Sequence, residues 1–443
     1  MKKIAIPFFF LILSISLTAQ NKKWTLQECV AHALENNISV KQSELDIELA
    51  EADKLEATGN FLPSLNANSS YSKNTGLSLN PTTNQLENTT FGSASAAINV
   101  GYTIFDGLRN VRQLQRAKLS ELAAQYRLDK MKDDIALAVA NSYLQVLLNK
   151  ANLEVAKSQN IVTLEQLQRT NDLVDAGVLP RGDLLEIKAT DAGEKRQIAV
   201  NENTVKISLI SLAQLLLIKD YTNFDISDEE YNIIDGGIAD KDVSEIIESA
   251  KQTRSEVKIA QKNVELAEKD VQISRGGYYP TLSAFFGYNT RYADNDPLNR
   301  EFVEQLYLND GIGYGLQLNV PIFNGFAVRS SVKRSKVNLR NTQYQLEQTQ
   351  LDLESSVYQA YVDANGALKA YEAASVALES QELAYQYAKD RYDVGLTNAF
   401  DFSQSKLRYD NAKVEVNRSK FDYIFKLKVL ELYFGVPASE LKF

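Results

Sequence analysis

The chain has 443 residues, with 57 acidic against 48 basic side chains and a formal net charge of −9. That balance argues against a nucleic-acid partner, which needs a basic face. With one His and one Cys, the chain is poor in metal ligands and nucleophiles and makes no intrachain disulfide, so no catalytic site, metal or cofactor is expected.

Met1-Lys2-Lys3, an apolar run from Ile4 to Leu17, and Thr18-Ala19 read as a secretory signal over 1–19. Losing Lys2 and Lys3 leaves 46 basic residues against 57 acidic, a net charge of −11. Beyond the signal, no stretch approaches the roughly 18 consecutive apolar residues of a membrane helix. If the chain enters a membrane, it must do so as β-strands, because only helices and closed barrels satisfy their backbone groups in lipid. Thr25 with Glu28 three residues later is a capping box, opening a helix over 25–58 that holds Cys29 as a small apolar residue and His32 inertly.

Over 62–105 the apolar spacing changes from helical to alternating. Ala94, Ala96, Ile98, Val100, Tyr102 and Ile104 make one face, while Ser93, Ser95, Asn99 and Thr103 make the other. These are strands long enough to cross a bilayer, paired through a polar tip at 74–90. A long helix follows over 108–175: the stretch from Arg109 to Val174 holds no Pro or Gly, and its 66 residues would span about 100 Å. A return helix over 183–218 follows, and a mixed segment over 219–242 spans the end of a first half, 20–235.

The second half, 236–443, repeats the order: a helix over 243–274, a hairpin over 279–323 with a turn-rich tip at 293–310, a long helix over 327–394 and a return helix over 401–434. Phe105, Gly177 and Asp183 recur 218 residues later as Phe323, Gly395 and Asp401. A length held fixed between two copies is one that matters physically. Aromatics collect at the strand–helix junctions (Phe61, Phe105, Tyr278, Tyr279, Phe323), as in an interfacial girdle. Four strands cannot close a barrel, and open edges are forbidden in lipid, so several chains must combine. The fold class is therefore mainly α with membrane β, in two internal repeats.

The chain resembles the TolC family of outer-membrane efflux channels over nearly its whole mature length. The resemblance rests on Leu62-Pro63-Ser64-Leu65 and Tyr279-Pro280-Thr281-Leu282, on Val320-Pro321-Ile322-Phe323-Asn324-Gly325, and most specifically on Tyr392-Asp393-Val394-Gly395-Leu396-Thr397-Asn398-Ala399-Phe400-Asp401. It implies a homotrimer whose four strands per chain form a 12-stranded β-barrel in outer-membrane lipid, continuous with a long periplasmic α-helical coiled-coil barrel. It implies a passive conduit from periplasm to exterior, working with a periplasmic adaptor and an inner-membrane pump or ABC exporter. Type I protein secretion is the alternative within that reading; a structural coiled-coil stalk at the surface is the one outside it.

The helical turns at Gly177 and Gly395 are left-handed C-caps in this reading and, by resemblance, the adaptor-docking tips. Asp183 and Asp401 open the return helices, either as caps alone or as a charged ring at the constriction of a trimer. In relatives a Tyr and an Asp hold this entrance shut, and Tyr392, Asp183 and Asp401 match them. The arginine two residues after the glycine in the best-known relative is Thr397 here, and its second gate aspartate is Gln404, with Glu186 at the corresponding place in the first half. The closing network must therefore differ, with Arg181 or Arg391 supplying positive charge.

Overall fold

A computed structural model describes residues 23–79, 84–227, 241–296 and 298–436. The expected signal, the Asn80-Pro81-Thr82-Thr83 tip and Asp235-Gly236-Gly237 lie outside the described residues. In chain order the elements are β1 (Lys23–Trp24), α1 (Leu26–Asn36), α2 (Ile38–Gly59), β2 (Ser64–Leu79), β3 (Leu86–Phe105), α3 (Arg109–Asp175), α4 (Arg181–Leu215) and β4 (Asp225–Ile226). Then come α5 (Val243–Thr253), α6 (Ser255–Gly276), β5 (Thr281–Ala293), α7 (Phe302–Leu308), β6 (Gly311–Asn319), α8 (Ala327–Asp393) and α9 (Ala399–Phe434). The long helices α3 and α8 have 67 residues each, and Gly366 does not break the second. No helix among the described residues is long and apolar enough to cross a membrane.

Two helices expected to be single are each broken once. Asn37, extended at φ −60° and ψ 135°, ends α1. Its Oδ1 accepts from the Ser39 amide at 2.8 Å, so the side chain substitutes for a helical bond and starts α2. Arg254, at φ −69° and ψ 132°, separates α5 from α6 and pairs with Glu256 at 2.9 Å while only 6% exposed. No Gly or Pro marks either break. The capping box formed by Thr25 and Glu28 is present as expected.

The chain divides into two compact units. One comprises Lys41–Met131 and Val243–Tyr358 and contains an antiparallel sheet in the order β2-β3-β5-β6. Its register aligns the alternation of all four strands. Leu65 stands opposite Val100, Val100 opposite Phe286 and Phe286 opposite Tyr314; Ala67, Ile98, Tyr288 and Ile312 form the next row. This face is open, with Ile98, Phe286, Leu316 and Leu318 all exposed. The other face is a polar ladder, in which Ser70 meets Ser95 at 2.9 Å, Ser72 meets Ser93 at 3.0 Å and Asn99 donates to Asn68 at 3.1 Å. Phe285 interrupts this ladder and lies over Gly315, where a Cβ would come within 3.1 Å of the ring.

A register shift between Thr103 and Phe105 brings Phe105 opposite Leu282, on the apolar face. Both strand-to-helix junctions then turn through two consecutive left-handed residues, Gly107-Leu108 (φ 74° and 64°) and Gly325-Phe326 (φ 58° and 64°). At the first, a Cβ on Gly107 would strike the Gly276 carbonyl, so glycine is required twice over.

The tips differ from expectation. Strand structure runs to Leu79 and resumes at Leu86, so β2 and β3 are longer than the alternation alone indicates. In the other hairpin the 293–310 segment contains α7. Its Gln305 side chain accepts from the Ala293 amide and donates to the Ala293 carbonyl, both at 3.0 Å, satisfying backbone groups of β5 beyond the end of β6. Asp296 receives Arg300 at 2.6 Å, and that guanidinium draws its carboxyl down to about 2.

The other unit comprises Met1–Val40, Lys132–Asp242 and Gln359–Phe443. Its apolar core joins Leu26, Cys29 and Ala33 to Val139, Tyr143, Leu147, Leu212, Leu216 and Ile424. The parallel pair β1–β4, a feature with no sequence signal, lies against this core. The Tyr143 hydroxyl lies within bonding distance of the Trp24 and Ser227 carbonyls, at 3.1 and 3.2 Å, and Lys150 meets Asp225 at 2.6 Å.

Candidate functional site at the helical turns

The two turns of this second unit are built alike. After α3, the Gly177 amide donates to the Val174 carbonyl at 3.0 Å and Val178 donates to Leu173 at 2.9 Å. After α8, Gly395 donates to Tyr392 at 3.0 Å and Leu396 to Arg391 at 2.8 Å. Both glycines are left-handed, at φ 75° and 77°. Each turn is thus a Schellman motif, which glycine permits and which leaves apolar Val178 and Leu396 exposed beyond it.

The return helices begin differently from expectation. Neither Asp183 nor Asp401 is the N-cap: Pro180 precedes α4 and offers no side chain, while Asn398 caps α9 by accepting from the Asp401 amide at 2.8 Å. Both aspartates instead sit in the first turn, where the helix dipole favours a carboxylate. Asp401 also accepts from the Thr397 hydroxyl at 3.3 Å. Glu186 is exposed one turn further along α4.

Tyr392 is the buried member of the predicted set, at 7% exposure. Its ring stacks on Phe402 at 5.0 Å and 17°, and its hydroxyl shares a 2.9 Å hydrogen bond with the fully buried Thr170. Burial, aided by the Asp183 charge, raises its phenol pKa. The cation fastened to this turn is Arg169, which meets the Asp393 carboxylate at 2.9 Å and donates to its carbonyl at 3.1 Å. Arg181 and Arg391 are exposed and make no ion pair among the described residues. The pairing Arg169–Asp393 with Thr170–Tyr392 ties the end of α3 to the end of α8.

Two turns away lies a polar cluster that pattern reading missed. Lys406 of α9, 4% exposed, reaches Glu194 of α4 at 2.7 Å and Asp410 at 3.3 Å. Glu194 also accepts from Thr163 at 2.9 Å and Asn160 at 3.1 Å, both on α3. Desolvation raises the pKa of Asp410, which Lys406 only partly offsets. Asp191, one turn from Glu194, is held low by Lys195 and Asn160. Asn160, Thr163, Gln166 and Thr170 recur at helical spacing along α3, but that spacing does not say which helices they face.

An exposed apolar face over a four-stranded sheet, a polar reverse face and long helices bearing glycine-capped turns define a membrane channel subunit. The family model described as outer membrane efflux protein matches residues 30–216 and 246–431, and the chain belongs to that family. It is similar to the outer membrane protein TolC of Vibrio cholerae, 24% identical over 341 residues covering 76% of this chain and 75% of the relative. The proteases secretion protein PrtF of Dickeya chrysanthemi is 21% identical over 402 residues, covering 88% of this chain and 84% of its own. The fold matches the Campylobacter jejuni CmeC outer membrane channel with a TM-score of 0.79 at 18% identity, covering 94% of this chain and 86% of that one. The protein is accordingly an outer-membrane channel of efflux or secretion, with its helical part in the periplasm.

Proposed function

We propose that three copies close their sheets into a 12-stranded barrel continuous with a periplasmic helical tunnel, a passive conduit that a periplasmic adaptor and an inner-membrane pump or ABC exporter supply. The observation that carries this reading is the sheet β2-β3-β5-β6, which exposes an apolar face and leaves both edge strands open. Such a sheet is stable in lipid only when its edges are closed. The 218-residue spacing of matched residues, the equal lengths of α3 and α8 and the matching left-handed junctions support two repeats, 20–235 and 236–443. Native mass spectrometry in mild detergent is expected to give three chains per particle. A stable monomer would remove the barrel. Protein secretion is the second reading, favoured by the secretion named for PrtF.

In this reading the turns at Gly177 and Gly395 meet the adaptor, and Asp183, Glu186 and Asp401 gather near the trimer axis as an acidic entrance. Tyr392 and Arg169 hold α8 to α3 there, with Arg181 and Arg391 free to face a neighbouring copy. Tyr392→Phe with Arg169→Ser removes both ties, and single-channel conductance in planar bilayers is expected to rise. Asp401→Ala is expected to weaken cation selectivity. Unchanged recordings for both would place the constriction elsewhere and leave these residues as packing and helix-end groups.

A further inference from the structure

The apolar face of the sheet ends at a definite row. Tyr71 stands opposite Ala94, and Ala94 opposite Tyr292, all on the face that carries Ile98. One row further out, Lys73 stands opposite Gly92, whose amide donates to the Asp294 carboxylate at 2.7 Å. Charged groups thus replace apolar ones between two successive rows. At the other end of the face, Leu282 stands opposite Phe105, three residues after Tyr279. Ten strand steps separate Leu282 from Tyr292, about 33 Å at about 3.3 Å each. At a tilt of about 40° they rise about 25 Å, the height of the apolar band of a membrane barrel. Tyr292 therefore marks the outer boundary of that band.

The helix α7 lies at this boundary and on this face. Its Phe302 ring meets Tyr292 edge-on, with centroids 4.9 Å apart. The Leu306 carbonyl accepts from the Thr290 hydroxyl at 2.6 Å. Thr290 belongs to the apolar face, opposite Ala96, and is only 8% exposed, whereas Asn289 and Arg291 of the reverse face are exposed. At 100° per residue, Phe302, Leu306, Val303 and Tyr307 form one continuous apolar arc. Val303 and Tyr307 turn away from the buried Gln305 and are 59% and 76% exposed. Glu301 and Glu304 stand on the other side, with Leu308 between them.

We infer that α7 is an interfacial helix lying in the headgroup layer of the outer leaflet, with Val303 and Tyr307 against the upper acyl chains and Glu301 and Glu304 toward water. This rests on the reading of the sheet as part of a lipid-embedded barrel, and adds to it a lipid-contacting element outside the strands. Continuity argues for lipid as the occupant: the arc extends the last apolar row of the face whose lower rows meet acyl chains. Tyrosine suits this level, since its ring is apolar while its hydroxyl reaches polar partners. The same placement fixes the depth of the barrel. Sinking it would carry Lys73 and Glu304 into hydrocarbon, and lifting it would bring Val303 and Tyr307 into water.

Depth-dependent quenching tests it. Trp24 is the chain's single tryptophan, so in a Trp24→Phe background an introduced tryptophan is the only one to report. Tyr307→Trp and, as a control, Tyr314→Trp are placed in phosphatidylcholine vesicles whose acyl chains carry bromine near the headgroup or near the chain end. Tyr314 stands opposite Phe286, near the middle of the band. Shallow bromine is expected to quench Tyr307→Trp about twofold more strongly than deep bromine, as for a side chain about 5–10 Å into the interface. Tyr314→Trp is expected to show the reverse order. If Tyr314→Trp is quenched while Tyr307→Trp is not, or is quenched no more by shallow bromine than by deep, the interfacial helix is overturned, and α7 lies on a neighbouring copy or in the aqueous mouth. An unquenched Tyr314→Trp would overturn the lipid-facing sheet itself. Val303→Cys carrying a nitroxide tests the same point with Trp24 retained, native Cys29 being buried. That label is expected to meet dissolved oxygen more readily than a water-soluble nickel chelate, and the opposite order would also overturn the placement.

Discussion

Arg at Ile98 or Leu316 is expected to destabilise the folded protein in lipid by about 2–4 kcal/mol, while Arg at Ser95 or Gln317 costs little and changes conductance instead. The rows of the sheet make this a test of facing. Ile98 pairs with Ala67 and Tyr288, and Leu316 with Ala284, all on the open apolar side, whereas Ser95 lies in the serine ladder and Gln317 opposite Ser283. A guanidinium on the first face meets acyl chains; on the second it meets water. Urea unfolding from bilayers, compared across the four variants, reads the difference. Equal losses on both faces would mean that the apolar side packs against protein.

Lys406→Met is expected to loosen the turn end of the helices by about 3–5 kcal/mol, since it strands two carboxylates in a site with little water. Glu194 and Asp410 have side chains 17% and 12% exposed, and Thr163 and Asn160 would remain as neutral donors to Glu194 alone. The pH dependence follows from Asp410, whose pKa is already raised by burial. A raised carboxyl favours the fold in its protonated form. Its contribution is therefore fully present below the unfolded carboxylate range and falls as pH rises through the folded value. Removing Lys406 takes away a lowering influence, so the variant's defect should be smaller at about pH 5 than at about pH 8. Thermal unfolding at the two values checks it, and a defect independent of pH would mean Asp410 stays charged throughout.

Much of the architecture was legible because it is periodic. Ile98 and Val100 alternate with Asn99 and Gly101, and the register keeps that alternation across all four strands. The long helices were legible from the stretch of chain lacking Pro and Gly between Arg109 and Val174. What escaped notice is non-local or carried by one side chain. Asn37 ends a helix through its own hydrogen bond to Ser39, and α7 exists because Gln305 satisfies a β5 residue twelve positions away. The β1–β4 pair joins residues some 200 apart with two positions each. At the site, glycine conformation and the burial of Tyr392 could be anticipated from the turn motif. Arg169, Thr170 and Lys406 could not, since each acts across helices whose relative rotation a single strand of letters does not encode.

The interior of α3 changes character along its length. Ala136, Val139, Ala140, Tyr143 and Leu147 are buried in its upper stretch, while the buried positions nearer the turn include Asn160, Thr163, Gln166 and Thr170. Aliphatic contact resists separation because water must cover the exposed area, at about 25 cal/mol per Å². Amides and hydroxyls lose far less, since water replaces their partners, and Gln166 Oε1 already has none among the described residues. The helix therefore carries a stiffness gradient, firm where it meets α1 and α4 over the aliphatic core and compliant toward Gly177. If the turn end opens, such a rod needs no hinge residue: the end held by polar contacts is expected to splay first, and the aliphatic end to set how far the splaying travels.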